Sequence, residues 1–216
     1  PERSTSMNAA SPDVAGDARG ERGAIRVVPA NEATWDELQT VLTGAAHRCQ
    51  CQRVRLGDHD WWHMPQEARA SILAAETQCG DPRAESTIGV VAYLGDEPVG
   101  WCAVDRRGVY GRLRGSPVPW NGRAEDPDDP DVWAIACVIV RPGFRHEGLT
   151  YPLVAGAVEH ARAQGARVIE GYPMLTGGAK ITWDELHVGP VGPFVAAGFE
   201  EVSRPTKRRV VMRLAL

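Results

Sequence analysis

The loop from Arg145 to Thr150 contains the residues whose order is most typical of a binding site. It follows Val132–Val140, which has no charged residue and predicts a buried strand, and it precedes an amphipathic segment, 149–164, which predicts a helix. The first backbone N–H groups of a helix have no partner inside the helix and lie at the positive end of its dipole. The sequence therefore predicts a phosphate-binding turn between this strand and this helix.

The glycine pattern of the loop excludes two common phosphate-binding motifs. A P-loop requires two glycines followed by Lys-Ser or Lys-Thr, and a dinucleotide-binding motif requires three glycines at fixed spacing. Gly148 is the single glycine between Arg145 and Thr150. Because many strand-to-helix turns contain a glycine and bind nothing, the wider pattern must decide between a ligand site and an ordinary turn.

The residues around this loop resemble the acetyl-CoA signature of the GNAT superfamily of N-acetyltransferases. The matching pattern is Val138-x-Val140-Arg141-Pro142-x-Phe144-Arg145-x-x-Gly148-Leu149-Thr150, although the family places Gly or Ala where Thr150 stands. The resemblance implies that the loop amides bind the diphosphate of acetyl-CoA and that the strand edge pairs with its pantetheine amides. The implied cofactor contacts are Cys137, Val138, Val140, Arg145, His146, Glu147, Gly148, Leu149, Thr150 and Phe194.

Further segments extend the resemblance over residues 25–216 and are similar to one subgroup of the superfamily. They are Cys49-Gln-Cys51, Gly100-Trp101-Cys102, Arg106-Arg107, Glu170-Gly-Tyr172-Pro173, Ala197-Gly198-Phe199 and 208–213. The implied GNAT fold is α/β with mixed α+β character: a mixed, splayed β-sheet of about six to seven strands flanked by about four helices. We assign residues 24–216 to this domain. We expect 1–23 to be disordered and 1–6, before Met7, to be residues added for expression.

Local patterns predict the individual elements. Alternating or continuous apolar runs predict strands at 24–28, 88–94, 99–104, 132–140, 168–172, 199–202 and 210–214. Helical periodicity and end signals predict helices at 35–42, 65–79, 149–164 and 193–197. Thr34 and Glu37 have the spacing of a capping box. The segment 107–131 is rich in proline and glycine and predicts a long loop.

Acetyl transfer from a thioester to an amine requires a neutral amine, stabilisation of the tetrahedral oxyanion and a proton for the departing thiolate. Many GNAT enzymes supply that proton from a Tyr four residues before the Gly-Phe of the last motif, but this chain has Phe194 there. Three explanations stay open. Water protonates the thiolate, another side chain replaces the tyrosine, or the protein binds acyl-CoA without efficient turnover.

Three residues are candidate catalytic groups. Glu170 lies in an apolar strand, where burial favours the protonated carboxyl and suits a general base, although an ion-paired glutamate is the alternative. Tyr172 shares the strand face of Glu170 and has the hydroxyl to donate to the oxyanion or the sulfur, although it could equally be a packing residue. His187 precedes the last predicted helix, and histidine is the residue type that exchanges protons near neutral pH.

The stretch 47–63 is rich in cysteine, histidine and tryptophan. Its spacing does not match a zinc site, because the two cysteines are separated by one residue and the histidines stand at no standard offset. We therefore predict no metal. In the GNAT fold this region forms the acceptor side of the cleft. We expect Trp61, Trp62 and His63 to shape a substrate pocket, with packing between the first helices as the alternative.

Charge and composition limit the partners of the chain. The net charge of −4 and the pI of about 5.9 give no reason to expect nucleic acid or an anionic membrane surface as partner, and no apolar run approaches the ~20 residues that span a bilayer. Near the acidic residues of 125–131, Arg123 alone supplies an opposing positive charge. The negative field of these acidic residues would attract a cationic amine. An ordinary solvated loop is the alternative. The acidic residues are Glu125, Asp126, Asp128, Asp129 and Asp131.

Five cysteines without an export signal indicate free thiols and a reducing cytoplasm. The sequence leaves two functional hypotheses. The first is an N-acetyltransferase that moves an acetyl group from acetyl-CoA directly to a primary amine in a ternary complex, because no residue stands out as a covalent nucleophile. The acceptor is then a small molecule or a protein lysine, and a homodimer is allowed because GNAT relatives commonly pair. The alternative is a non-catalytic acyl-CoA-binding or regulatory domain.

Overall fold

The computed structural model of the chain describes residues 23–177 and 187–216. Within these ranges seven strands form one sheet in the order β1-β2-β3-β4-β5-β7-β6. The strands are β1 (Ile25–Pro29), β2 (Val90–Leu94), β3 (Glu97–Arg106), β4 (Val132–Val140), β5 (Val168–Gly171), β6 (Glu200–Ser203) and β7 (Val211–Ala215). The predicted strands at 24–28, 88–94, 99–104, 132–140, 168–172, 199–202 and 210–214 all fall within or beside these spans.

The sheet is mixed, as predicted. Strands β1 to β4 pair antiparallel in chain order, β4 and β5 pair parallel, and β5 and β6 each pair antiparallel with β7. The parallel pairing runs only from Val132↔Val168 to Ile135↔Gly171. The second half of β4 therefore continues without β5, so the two strands diverge in the middle of the sheet, and the predicted mixed, splayed α/β architecture is confirmed.

Residues 23–177 and 187–216 contain the four predicted helices, together with four short ones that the sequence patterns did not predict. The predicted helices are α1 (Trp35–Val41), α5 (Gln66–Thr77), α7 (Thr150–Ala163) and α8 (Val191–Ala196); the others are α2 (Ala45–Cys49), α3 (Gln52–Leu56), α4 (Asp58–His63) and α6 (Gly111–Gly115). The segment 107–131 is thus only partly a loop, since it contains α6 and a 3-10 turn, Arg107–Val109. In the ranges that the structure covers, no helix is long and apolar enough to cross a membrane.

The core has two layers, one on each face of the sheet. Helices α7 and α8 pack on one face, where Leu153, Val154 and Phe194 are buried. Helices α1 and α5 pack on the other face around Leu38, Leu73 and other apolar side chains. Full burial of a Leu, Val or Phe side chain contributes about 1.5–3 kcal/mol, so these two layers provide the main driving force for folding.

Two local devices fix how the helices join the sheet. The Thr34 Oγ1 accepts from the amide of Glu37 at 3.3 Å, and the Glu37 carboxylate accepts from the amide of Thr34 at 2.7 Å, so the predicted capping box at the start of α1 is confirmed. Gly156 lets α7 approach β1 closely, because a Cβ built on Gly156 would lie 2.4 Å from Val27 Cγ1. Helix α7 therefore sits tightly on the sheet and positions the loop that precedes it.

Candidate active site

The loop between β4 and α7 opens onto a cavity of about 440 Å³, which we call the loop cavity. Its lining consists of Val138, Val140, Phe144, Arg145, His146, Gly148, Leu149, Thr150, Gly189 and Pro190. Seven of the ten residues predicted to contact a cofactor therefore meet at one surface. Arg145 supports the loop, since its Nε donates to the carbonyl oxygen of Val140 at 3.1 Å.

The backbone of this loop turns its amides outward. Gly143, His146 and Gly148 have φ values of 92°, 67° and 78°, and a non-glycine residue in this left-handed region is uncommon and is often found at functional sites. A Cβ built on Gly148 would meet nothing within 4 Å, so its backbone faces open space. Within the described part of the chain, the backbone amides of four loop residues donate to no acceptor: His146, Gly148, Leu149 and Thr150. These amides are therefore arranged to hold an anion at the start of α7.

A second, smaller cavity lies on the opposite face of β4, and we call it the α6 cavity because α6 forms one wall. It has a volume of about 180 Å³ and is lined by Val54, Arg112, Leu113, Ser116, Val118, Ala136, Tyr172, His187, Val188 and Arg209. A β-bulge separates the two surfaces: Cys137 pairs with Ala103 and Ile135 with Val104, which leaves Ala136 as an extra residue. Ala136 thus faces the α6 cavity, whereas Val138 lines the loop cavity.

The segment 187–190 forms a common wall of the two cavities. His187 and Val188 line the α6 cavity, and Gly189 and Pro190 line the loop cavity. The amide of Val138 donates to the carbonyl oxygen of His187 at 2.8 Å, and the amide of Met174 donates to that of Gly189 at 3.1 Å. The segment therefore lies between the diverging ends of β4 and β5. Pairing of Val138 with pantetheine, which the GNAT resemblance implies, requires the bond to His187 to open.

The family of the chain follows from a comparison with protein-family models. The acetyltransferase (GNAT) family matches residues 38–172, more than half of the 216 residues. The chain belongs to the GNAT family. Acetyl-CoA is the cofactor of this family, as the resemblance implied. The family prediction made from the β4–α7 loop is therefore confirmed. A search of curated protein sequences finds no match.

Solved acetyltransferase structures resemble the chain in fold. A crystal structure of an acetyltransferase is 16% identical, with a TM-score of 0.52 over 89% of this chain and 99% of that one. A ribosomal-protein-alanine N-acetyltransferase from Brucella melitensis is 18% identical, with a TM-score of 0.49 over 89% and 99%. The structure of yncA from Salmonella typhimurium, which contains its cofactor acetyl-CoA, is 15% identical, with a TM-score of 0.49 over 90% and 95%. The first of these likenesses supports the GNAT fold alone.

Glu170 is an ion-paired residue in the interior of this GNAT domain. Its side chain is fully buried, and its Oε1 accepts from Arg107 Nη1 at 3.1 Å and from Arg213 Nη1 at 3.3 Å. Arg123 also pairs with this carboxylate and donates to Oε2 at 3.4 Å. Three guanidinium groups thus occupy both oxygens, and Glu170 lines neither cavity. The geometry favours the alternative considered from the sequence, a structural ion pair, over a general base.

Tyr172 and His187 both line the α6 cavity, but their polar groups differ in what they can do. The hydroxyl of Tyr172 donates to Glu170 Oε2 at 3.0 Å and is buried. Burial and the neighbouring carboxylate raise the pKa of Tyr172 well above its usual value. Its proton is therefore directed into the ion-pair network rather than toward the cavity. His187 is half-buried and borders the α6 cavity at its junction with the loop cavity.

Three residues predicted to contact the cofactor lie away from the loop cavity. Cys137 packs on the opposite face of the sheet, because the bulge at Ala136 shifts the alternation of β4. Phe194 is fully buried, packs edge-on against Phe199 at 5.2 Å and fills the space above a glycine of β5. Glu147 belongs to the loop but does not line the cavity.

The structure does not bring Trp61, Trp62 and His63 into either cavity. Trp61 packs between Arg53 and Arg69, whose guanidinium carbons lie 5.5 and 4.7 Å from its ring centroid. Trp62 is 71% exposed, and His63 Nδ1 lies 2.8 Å from the carbonyl oxygen of His59 on the surface. All three residues belong to α4, whereas α3 and α6 supply Val54, Arg112 and Leu113 to the lining of the α6 cavity.

Four of the five acidic residues of segment 125–131 pair with arginines. Glu125 pairs with Arg123 and Arg213, and although burial opposes the shift, these arginines lower its pKa. The remaining pairs within 23–177 join Asp128 to Arg114, and both Asp129 and Asp131 to Arg167. The expectation that Arg123 alone opposes these acids is wrong, and the field that would attract a cationic amine is largely cancelled.

Cys51 and Cys137 meet beside β4 without forming a metal site. Cys51 Sγ accepts from Trp101 Nε1 at 3.3 Å, and a hydrogen bond from Cys137, opposed by burial, lowers the pKa of Cys51. Burial raises the pKa of the nearby Cys102 thiol. Among the described residues, no group of three or more Cys, His, Asp or Glu side chains is placed to hold a metal ion.

Of the polar residues that line the α6 cavity, Tyr172 and His187 were predicted from the sequence, whereas Arg112 and Arg209 were not predicted to lie together. Arg112 lies on α6, in a segment predicted to be a loop, and Arg209 precedes β7. Arg112 and Arg209 are nearly 100 positions apart in the sequence, so no local sequence pattern links them. They come to the same cavity only once the sheet has formed. The periodicity of a single segment therefore could not have identified them as neighbours.

Proposed function

We propose that this protein is an acetyl-CoA-dependent N-acetyltransferase that transfers the acetyl group directly to a primary amine in a ternary complex. The observation that carries the proposal is the position of the two cavities on opposite faces of the splayed strand β4, with segment 187–190 as their common wall. One cavity suits the cofactor and the other suits the acceptor. The two reactants can thus meet at the junction beside Val138 and His187.

In this proposal the loop cavity holds acetyl-CoA. The amides of His146, Gly148, Leu149 and Thr150 bind the diphosphate, because backbone donors at a helix start favour an anion. Val138 and Val140 contact the pantetheine arm, which displaces the carbonyl of His187 from the Val138 amide. The cofactor supplies the thioester that is attacked, and these residues fix its orientation.

The proposed chemistry assigns the proton transfer to the α6 cavity. The amine nitrogen attacks the thioester carbonyl carbon, a C–N bond forms, the C–S bond breaks and CoA departs as a thiolate. His187 accepts the proton released by the amine, since it is the candidate base that lines the α6 cavity at its junction with the loop cavity. Water protonates the thiolate, because Phe194 occupies the position of the usual tyrosine and is an apolar core residue.

The acceptor in this proposal is a small amine or a lysine side chain, and the small α6 cavity accommodates either a compact molecule or one extended chain. All five cysteines are free thiols, which supports the cytoplasm as the proposed location, because such thiols persist in a reducing compartment. The α6 cavity combines apolar walls with basic side chains, so the acceptor is expected to have both apolar and polar parts.

The proposal is tested by thiol release and intact mass. Acetyl-CoA is incubated with the protein and panels of small amines and lysine peptides, and CoA release must coincide with the mass gain of one acetyl group on an acceptor. His187→Gln should lower kcat by about 10²–10⁴-fold, the usual contribution of a general base, with unchanged acetyl-CoA binding. The control His63→Gln, on the exposed surface of α4, should retain wild-type kcat.

Two results would contradict this assignment. Acetyl-CoA binding without turnover on any acceptor would indicate the non-catalytic acyl-CoA-binding domain instead. Unchanged turnover of His187→Gln at all pH values would remove His187 as the base while leaving the transferase activity in place. The binding assay and the kinetic assay therefore separate the cofactor site from the chemistry.

A further inference from the structure

We propose that Cys51 and Cys137 are a modification site, at which hydrogen peroxide converts the two thiols into a reversible disulfide between the turn before α3 and strand β4. All five cysteines of the chain are free thiols, so this pair is available for oxidation. Neither residue lines the loop cavity or the α6 cavity, which makes the site distinct from both.

The two thiols are in contact on one face of the sheet. Trp101 Nε1 donates to Cys51 Sγ at 3.3 Å, and Ala103, two residues further along the same face of β3, pairs with Cys137 on β4. The Cys137 thiol donates a hydrogen bond to Cys51. A disulfide requires two side chains that face one another at close range. The bulge at Ala136 provides this, because it turns Cys137 toward the face on which Cys51 lies.

The turn that contains Cys51 is fixed by a buried glutamine. Gln50 and Cys51 have φ values of 49° and 54°, in the left-handed region that non-glycine residues adopt mainly where the surrounding structure determines it. The Gln50 side chain is fully buried, and its Nε2 donates to Gln39 Oε1 at 2.9 Å and to the carbonyl oxygen of His47 at 2.8 Å. This turn therefore holds the Cys51 thiol against β4 before any oxidation.

The two cysteines differ in reactivity. The hydrogen bond from Cys137 lowers the pKa of Cys51, although burial opposes this shift, and the same hydrogen bond together with burial raises the pKa of Cys137 well above its usual value. The thiolate is the nucleophile in thiol oxidation. Both residues are only partly buried, whereas Cys102 is fully buried. Cys51 is therefore the thiol that reacts with peroxide, and Cys137 is the thiol that completes the disulfide.

The reaction proceeds in two balanced steps. The Cys51 thiolate attacks one oxygen of hydrogen peroxide, the O–O bond breaks, and the departing hydroxide combines with the proton that Cys51 released, which leaves a sulfenic acid. The Cys137 sulfur then attacks the Cys51 sulfur, the S–S bond forms, the S–O bond breaks, and hydroxide departs with the Cys137 proton as water. Two thiols are thus oxidised by two electrons, peroxide is reduced to two waters, and a dithiol reductant reverses the change.

The disulfide also acts on the α6 cavity. Val54 lies on α3 three residues after Cys51, Ala136 is next to Cys137 on β4, and both of these neighbours line the cavity. A covalent S–S bond is shorter than the contact between two thiols, so the cross-link draws the start of α3 toward β4. The cavity of about 180 Å³ becomes narrower. Its effect on acetyl transfer rests on the proposed function, in which this cavity holds the acceptor.

The modification is tested on the full chain with hydrogen peroxide. Thiol titration in denaturant should show a fall from five free thiols to three, and intact mass should show the loss of two hydrogens. A non-reducing peptide map should join the Cys51 peptide to the Cys137 peptide, and dithiothreitol should restore all thiols. Cys51→Ser and Cys137→Ser should each abolish this cross-link. Cys79→Ser is the matched control, because it removes a thiol that donates to Thr77 Oγ1 at 3.3 Å, and it should retain the cross-link.

The possible results separate this inference from the proposed function. Persistence of all five thiols in peroxide, or a map that joins Cys51 to Cys49 instead, overturns the modification site. With an acceptor in hand, oxidation should lower kcat/KM about 10-fold, as for a misfit of one methylene group in a pocket, and Cys137→Ser should be insensitive to peroxide. An unchanged kcat/KM after complete cross-linking would overturn the effect on the α6 cavity. If no amine is acetylated, the proposed function fails, and the thiol titration and the peptide map still decide the modification site.

Discussion

The hydroxyl of Tyr172 donates a 3.0 Å hydrogen bond to the carboxylate of Glu170, and both side chains are buried. The same carboxylate accepts from Arg107 at 3.1 Å and pairs with Arg123. Because Arg107 and Arg123 belong to the segment between β3 and β4, the network holds that segment, and with it α6, against β5. The α6 wall of the α6 cavity is thus positioned by buried charge rather than by the apolar core alone.

This network predicts that Glu170 acts on stability. Glu170→Gln leaves three arginines around a neutral amide, and loss of one partner of a buried ion pair costs about 3–5 kcal/mol. Urea denaturation should show a loss of this size. As a control, Glu201→Gln removes the exposed carboxylate on β6 that pairs with Arg204. This substitution should lower the free energy of unfolding by less than about 1 kcal/mol. A Glu170→Gln protein with wild-type stability but without turnover would instead identify Glu170 as a catalytic base.

The contact between α7 and β1 predicts a second effect on stability. Gly156→Ala places a methyl group 2.4 Å from Val27 Cγ1, and overpacking of this kind costs about 1–3 kcal/mol, although alanine is the better helix former. Val27→Ala frees the space, so the double variant should regain part of the loss. Chemical denaturation of both single variants and the double variant measures the coupling. Strictly additive effects would show that the two residues do not compete for the same space.

His160 predicts a pH dependence of stability. It is buried, its Nε2 lies 3.1 Å from the carbonyl oxygen of Thr87, and burial lowers its pKa. The folded state therefore binds fewer protons than the unfolded state, in which the histidine pKa is about 6.5. The contribution of His160 to the free energy of unfolding is therefore fully present above about pH 6.5. It is lost as the pH is lowered from there through the pKa of His160 in the folded state.

The variant His160→Gln isolates this contribution. Glutamine can still donate to the Thr87 carbonyl but does not titrate, so the free energy of unfolding should change less between pH 7.5 and 5.5 than in the wild type. Urea titrations of both proteins at the two pH values give the difference. An identical pH dependence would mean that His160 contributes nothing to the acid sensitivity of the fold.

Local sequence patterns were sufficient for the elements that depend on neighbours along the chain. The capping box of Thr34 and Glu37, the apolar run of β4 and the amphipathic pattern of α7 all predict what is observed. The short helices α2 to α4 escaped prediction, because each has only five or six residues and shows too little periodicity. The left-handed residues Gln50 and Cys51, which separate α2 from α3, have no reliable sequence signal.

The site was predictable only in part, for a related reason. The loop follows from a strand, a glycine and a helix in sequence, so the residues from Arg145 to Thr150 were predicted to lie together, and all of them except Glu147 line the loop cavity. The bulge at Ala136 depends on pairing with β3 and reverses the face of Cys137. The ion pairs of Glu170 join residues up to 63 positions apart. Such contacts are decided by the fold and leave no spacing in the sequence.

The binding of acetyl-CoA to two glycine variants tests the central claim most directly. Gly148 and Gly165 flank the two ends of α7, have φ values of 78° and 81°, and face open space, so tryptophan introduces the same backbone strain at both. Calorimetry should show acetyl-CoA binding weakened at least about 100-fold, or about 2.7 kcal/mol, in Gly148→Trp and unchanged in Gly165→Trp, with both proteins folded by circular dichroism. Undiminished binding to folded Gly148→Trp would contradict the assignment of the loop cavity to the cofactor.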